Sequence, residues 1–192
     1  MEPMTVDVSE IGPLTDDALL RLCVANRDLR FERTSAGNLI VMSPTGGRSG
    51  LRSGRLFYAL ARWNEETGLG LAFDSSTGFR LPSGAMRAPD AAWVARARWD
   101  QLSDEEQDGF PPLCPDFVIE LMSESDRLAP MQEKMEEWMA NGCRLAWLLQ
   151  PKDAHAFVYQ AGGGRSVVDS FDDVLSGEAV LPGFGLHLAE LR

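Results

Sequence analysis

A carboxylate stands in the middle of an apolar run at Phe117-Val118-Ile119-Glu120-Leu121, within CPDFVIELMSES. Runs of this kind read as strands buried on both faces, where an unpaired charge is so disfavoured that the group neutralises or takes a cation. Two Pro-Asp dipeptides, Pro89-Asp90 and Pro115-Asp116, each open a strand-like segment. Asp116 and Glu120 would share a strand face but lie about 13 Å apart, too far for one ion bound at roughly 2.0–2.6 Å. Glu120 therefore needs a carboxylate from another strand. Asp90, leading into AAWVA, is the candidate provided the two strands are neighbours, and Asp116 better suits a cap or a turn end.

Asp90 with Glu120 would present hard oxygens and no imidazole or thiolate, a set that suits Mg²⁺ or Mn²⁺ rather than zinc. Such an ion polarises a phosphodiester and lowers the pKa of a bound water. A nearby ammonium would stabilise the charge that develops. The only lysines are Lys134 and Lys152. Lys134 follows the Glu120 strand on the next helical segment, placed to reach back over the sheet, and Glu32 in RFERT could join the cluster. Spacing alone leaves a second account open, with Glu120 paired to a core arginine and Lys134 solvated beside Glu133 and Glu136.

These groups need particular elements to hold them. LTDDALLRLCVANR, Leu14 to Arg27, predicts an amphipathic helix with Thr15 as N-cap, acids in its first turn and an apolar stripe of Leu19, Leu20 and Cys23. LRFERT and NLIVMS flank Ser35-Ala36-Gly37, a hairpin signal. Pro44-Thr45-Gly46-Gly47 breaks the chain before a second helix over roughly Ser49 to Glu66, whose first turn Gly50 and Gly54 weaken toward a loop. LGLAFD, TGFRLP, AMRAPD and AAWVAR read as short antiparallel strands between turns. LSDEEQDGF has a capping-box shape, Ser103 with Glu106. A helix from Pro130 to an Asn141-Gly142 cap joins FVIEL to RLAWLLQ, an order that implies one parallel crossover. HAFVYQ and RSVVDS form a further hairpin, and the tail VLPGFGLHLAEL adds packing only. With no repeat or linker, residues 1–192 read as a single α/β domain with a mixed sheet.

Composition narrows the function. A 44% hydrophobic, 24% charged chain is ordinary for a globular protein, and no apolar run approaches the ~20 residues of a membrane span. The start MEPMTVDVSE has neither basic nor apolar export features. Three scattered cysteines and two histidines give no zinc spacing, so a reduced, cytoplasmic setting is expected. The net charge of −11 opposes non-specific nucleic-acid binding unless arginines are concentrated locally. No GxSxG element supports a serine hydrolase, and SPTGG lacks the lysine of a phosphate-binding loop.

Longer strings carry a resemblance. GNLIVMSPTGGRSGLRSGRL, STGFRLPSGAMRAPDAAWV, PPLCPDFVIELMSESD, QEKMEEWMANGCRLAWLLQP and LSGEAVLPGF together resemble the Uma2 family, also called DUF820, of the PD-(D/E)xK nuclease superfamily. The resemblance runs from about Phe31 to Phe184. It implies a restriction-endonuclease-like α/β (α+β) fold, a mixed β-sheet flanked by helices, and a Mg²⁺-dependent site that cleaves phosphodiesters in DNA. On it the superfamily aspartate matches Asp90, the glutamate matches Glu120, an early-hairpin glutamate matches Glu32, and a helix lysine matches Lys134. The usual lysine position, two residues after the glutamate, holds Met122, so the tip of Lys134 would have to reach the Glu120 face.

The second helix carries Arg48, Arg52, Arg55 and Arg62 within about 80° of its surface at 100° per residue. Arg80 and Arg87 fall on strands near Asp90. Positive charge beside the proposed site is thus expected, with a solvated arginine face as the alternative. A homodimer is expected only by analogy with nucleases that cut two strands. The other functional reading is a catalytically silent nuclease fold acting as a binding or regulatory module, which Met122 and the acidic total favour.

Overall fold

The computed structural model describes every residue except 1–3, 9, 11, 13, 43 and 179; Ser43 of the SPTGG turn therefore lies outside the described residues. In chain order the elements are β1 (Met4–Val6), α1 (Asp16–Ala25), β2 (Arg30–Arg33), β3 (Leu39–Met42), α2 (Gly47–Thr67), β4 (Gly70–Asp74), β5 (Phe79–Arg80), β6 (Met86–Arg87) and β7 (Ala91–Ala95). They continue with α3 (Arg96–Trp99), α4 (Asp104–Asp108), β8 (Phe117–Leu121), α5 (Leu128–Ala140), β9 (Leu145–Gln150), β10 (His155–Gln160), β11 (Gly164–Val168), β12 (Val174–Ser176), β13 (Gly185–His187) and a closing 3₁₀ turn, Leu188–Leu191.

A six-stranded sheet of order β11-β10-β9-β8-β7-β4 forms the centre. Its one parallel pair is β8 with β9, joined through α5 as the strand–helix–strand order implies. A second, antiparallel sheet of order β1-β3-β2-β6-β5 stands beside it, and β12 pairs with β13 in a ribbon. That ribbon was not expected, because three-residue strands carry too little alternation to register as a period. Among the described residues no helix is long and apolar enough to cross a membrane.

FVIEL is buried throughout, with its alternate residues entering two cores. Phe117, Ile119 and Leu121 pack with Leu56, Leu60 and Trp63 of α2 and with Trp147 and Phe184. Val118 and Met122 pack on the other side with Met135 and Trp138 of α5. Period two therefore sends Glu120 to the α5 side, together with Met122.

Local signals explain most boundaries. Thr15 Oγ1 accepts the Ala18 N–H at 3.2 Å and starts α1, and Ser103 with Glu106 forms the capping box of α4. Pro130 sits inside the first turn of α5, which begins two residues earlier, at Leu128; a first-turn N–H has no helical acceptor to lose. The loop expected at the start of α2 is a helix from Gly47. Burial of Leu56, Leu60 and Trp63 outweighs the roughly 1 kcal/mol per glycine that Gly50 and Gly54 cost.

Edge strand β4 supports β7, the strand that follows Asp90, and Gly70 is opposite Ala95 there. A Cβ at Gly70 would lie 2.2 Å from the Val94 carbonyl oxygen and 2.5 Å from the Trp93 ring. Gly70→Ala should therefore destabilise the protein by about 1–3 kcal/mol, read as a lower urea midpoint with an unchanged slope; an unshifted midpoint would contradict this packing.

Candidate active site

Strands β7 and β8 are antiparallel, with Ala91 opposite Ile119 and Ala92 opposite Val118. Continued by one residue, this register sets Asp90 opposite Glu120, and opposite residues project to the same face. Asp90 Oδ2 accepts the Leu121 N–H at 2.7 Å, which ties the aspartate across the end of the ladder.

Helix α5 supplies two donors from one face, because Lys134 and Trp138 are four residues apart. Lys134 Nζ lies 2.8 Å from Glu120 Oε1. The Trp138 indole N–H donates to the same oxygen at 2.9 Å. Glu120 is thus paired with a lysine and an indole, not with an arginine. The open question of reach is answered as well: the Lys134 tip does arrive on the Glu120 face, while Met122 is buried in the α5 core.

Glu32 joins from β2 of the second sheet. Its Oε1 lies 3.1 Å from Lys134 Nζ and accepts the Ala88 N–H at 3.1 Å. Its Oε2 pairs with Arg87 Nη1 at 2.9 Å, and the Arg87 Nε donates onward to Glu137. Lys134 also donates to the Ala88 carbonyl at 3.4 Å. One ammonium therefore binds carboxylates from both sheets.

Burial pushes the Glu120 carboxyl up to about 7; the negative charges of Asp90 and Glu32 add to the rise and Lys134 opposes it. Burial also raises Asp90, against the Leu121 N–H and the charges of Lys134 and Arg30. For Glu32 burial acts upward but is outweighed by Lys134 and Arg87, so its pKa falls. Burial would lower Lys134, yet Glu120 and Glu32 hold it above the usual lysine value, so it stays charged.

Glu32, Asp90, Glu120 and Lys134 line one cavity of about 890 Å³. Its described lining has seven acidic side chains (Glu32, Asp74, Asp90, Glu120, Asp126, Glu133, Glu137) and four basic ones (Arg30, Arg87, Arg127, Lys134), a formal net of −3 with every carboxyl counted as ionised. Among the described residues no three carboxylate, imidazole or thiolate groups converge as a ready-made cage. A divalent ion held by Asp90 and Glu120 would complete its shell with water and substrate oxygens, which is the habit of Mg²⁺. The all-oxygen donor pair fits Mg²⁺ or Mn²⁺ and does not fit zinc.

The arginines fall differently from expectation. The cavity takes Ser49, Gly50, Ser53, Gly54 and Phe57 of α2, and at 100° per residue Arg48, Arg52, Arg55 and Arg62 lie on roughly the opposite side of that helix. Arg55 donates to the Glu190 carbonyl at 2.7 Å, and Arg62 pairs with Glu66. Arg80 pairs with Asp16 and is not part of the lining. Arg87 does line it but is committed to Glu32 and Glu137. The expected positive surroundings are therefore corrected to a negative lining. Asp116 is a structural anchor at the far end of β8, accepting the Ala95 N–H at 2.9 Å and pairing with Arg98 and Arg144.

Trp138, Glu137 and Arg30 were missed by the sequence reading. The signal for the first was present, since an aromatic four residues after Lys134 must share its face.

The family comparison fits this geometry. The Uma2 family model, described as "Putative restriction endonuclease", matches residues 16–189. The chain belongs to the Uma2 family. The Uma2 chain is also similar to a crystal structure of "a putative nuclease belonging to DUF820" from Anabaena variabilis, with TM-score 0.73 and 18% identity over 93% of this chain and 97% of that one. At that identity the likeness establishes a shared fold, the restriction-endonuclease-like α+β arrangement. Comparison with curated proteins returns no match.

The raised Glu120 pKa gives the metal-free Uma2 protein a signed pH dependence. Between the unfolded glutamate value near 4.3 and the folded value of about 7, the native state keeps a proton that the unfolded chain has lost. Stability from this group is present below that window and is lost as pH rises through it, at up to about 1.4 kcal/mol per pH unit. Urea unfolding in chelator from pH 5 to 8 should show the fall, flattened in Glu120→Gln; equal slopes in the two proteins would contradict the assignment.

Proposed function

We propose that this Uma2 chain is a metal-dependent endonuclease that hydrolyses phosphodiester bonds in DNA. The observation that carries the reading is the meeting of Asp90, Glu120, Glu32 and Lys134 on one cavity, with the Lys134 ammonium on Glu120. Asp90 and Glu120 would hold Mg²⁺ or Mn²⁺. When bound, such an ion supplies a Lewis acid for a phosphate oxygen and a more acidic water.

The chain's own residues divide the remaining work. Lys134, kept charged by its two carboxylates, is placed to balance negative charge that develops on a phosphate in the cavity. Glu32 holds Lys134 in place and is itself fixed by Arg87 and the Ala88 N–H. Arg30 lines the cavity and its charge acts on Asp90, which makes it a candidate for a backbone phosphate contact. Arg48, Arg52 and Arg55 would meet only DNA that extends past α2. Pairing of two copies would bring two such sites to one duplex.

A second reading, a silent nuclease fold that binds without cutting, is favoured by one observation. Lys134 already contacts Glu120, Glu32 and the Ala88 carbonyl, and the cavity is net negative. Plasmid nicking separates the two. The nuclease reading expects Mg²⁺-dependent nicking that stops in chelator and falls about 10²-fold or more in Asp90→Ala, Glu120→Ala and Lys134→Ala, with circular dichroism showing folded variants. Equal cutting by the variants removes these residues from the mechanism. DNA binding without cleavage under any divalent ion supports the silent module.

A further inference from the structure

We propose that Trp138 is a positioning residue which, together with Lys134, limits Glu120 to a single free oxygen and so selects Mg²⁺ or Mn²⁺ over Ca²⁺. The inference rests on the reading that Asp90 and Glu120 hold the ion, and it assigns the discrimination among ions to a residue that would never touch one.

The argument begins with which oxygens are taken. Glu120 Oε1 receives both the Lys134 ammonium, at 2.8 Å, and the Trp138 indole N–H, at 2.9 Å. Oε2 makes neither bond. An indole N–H only donates, and its direction is set by the ring. Trp138 is fully buried among Met135, Val118 and Leu148, so that ring is held by packing. Both donors come from one helix, one turn apart; the lysine has a flexible stem, so the indole N–H on its packed ring is the donor that cannot leave Oε1 by a small local movement.

Asp90 is held less tightly: its Oδ2 accepts one N–H, that of Leu121 at 2.7 Å, which leaves that oxygen a further lone pair beside those of Oδ1. Glu120, whose Oε1 takes two donors, is therefore the carboxylate whose denticity is restricted. Ca²⁺ gathers six to eight oxygens and commonly takes a carboxylate through both; Mg²⁺ takes six ligands, uses one or two carboxylates and keeps several waters. For Glu120 to chelate through both oxygens, bonds from Lys134 and Trp138 would have to break. Removing the indole donor weakens that restraint, whereas a merely space-filling tryptophan would leave selectivity alone.

Calorimetric titration of the whole protein with Mg²⁺ and with Ca²⁺, before and after Trp138→Phe, tests this. The variant is expected to bind Mg²⁺ about 10-fold more weakly, the scale seen when a partner of a metal ligand is lost, while Ca²⁺ affinity holds or rises. Parallel loss for both ions, or no change in either, overturns the positioning role and leaves the metal reading standing. A wild-type protein that binds no divalent ion overturns both. Should Trp138→Phe fail to fold, the assigned Trp138 indole N–H resonance of the wild type decides. Saturating Mg²⁺ should leave it hydrogen-bonded, and a Mg²⁺-induced shift to the position of a free indole overturns the proposal.

Discussion

The ammonium of Lys134 is the contact on which the arrangement depends. A fully buried strand cannot easily carry a glutamate, and Glu120 is tolerated because one amine and one indole meet its Oε1. The same amine contacts Glu32, so the two sheets are joined at the point where the acidic groups collect. Removing the amine would leave three carboxylates, Glu32, Asp90 and Glu120, without their central cation. Arg87 would then compensate only Glu32 and Glu137.

Even with Lys134 in place the compensation is partial. The cavity lining keeps an excess of negative charge, and the Glu120 carboxyl sits near neutrality. Such a site separates the role of the fold, which brings Asp90 and Glu120 into register, from the role of α5, which holds Glu120 in one orientation. The placement of the amine on a helix leaves the position two residues after Glu120 to Met122, which lies in one core cluster with Met135.

Much of this was legible in the residues. The glutamate inside FVIEL announced a buried charge, and distance set Asp116 aside in favour of Asp90 on the condition that the two strands are neighbours, with pairing to a core arginine left open. The strand–helix–strand order put Lys134 where it could reach back. The Uma2 strings supplied the fold class. Three features were not legible, each for a physical reason. Helical periodicity grouped Arg48, Arg52, Arg55 and Arg62 on one side of α2, but which side meets the cavity depends on how Leu56, Leu60 and Trp63 seat the helix. Trp138 is a core residue, and nothing in the sequence tells that its N–H points at Glu120, because the direction of an indole is set by tertiary packing. The Glu32–Arg87–Glu137 chain depends on the docking of two sheets, which no local pattern encodes.

The most direct test of the central claim is a crystal of the protein soaked in Mn²⁺, with data collected at the manganese absorption edge. The account predicts one anomalous peak in the cavity, within oxygen-ligand distance of both Asp90 and Glu120 and lost in Asp90→Ala. A cavity without such a peak, or a peak bound elsewhere while Asp90 and Glu120 stay unliganded, would contradict it.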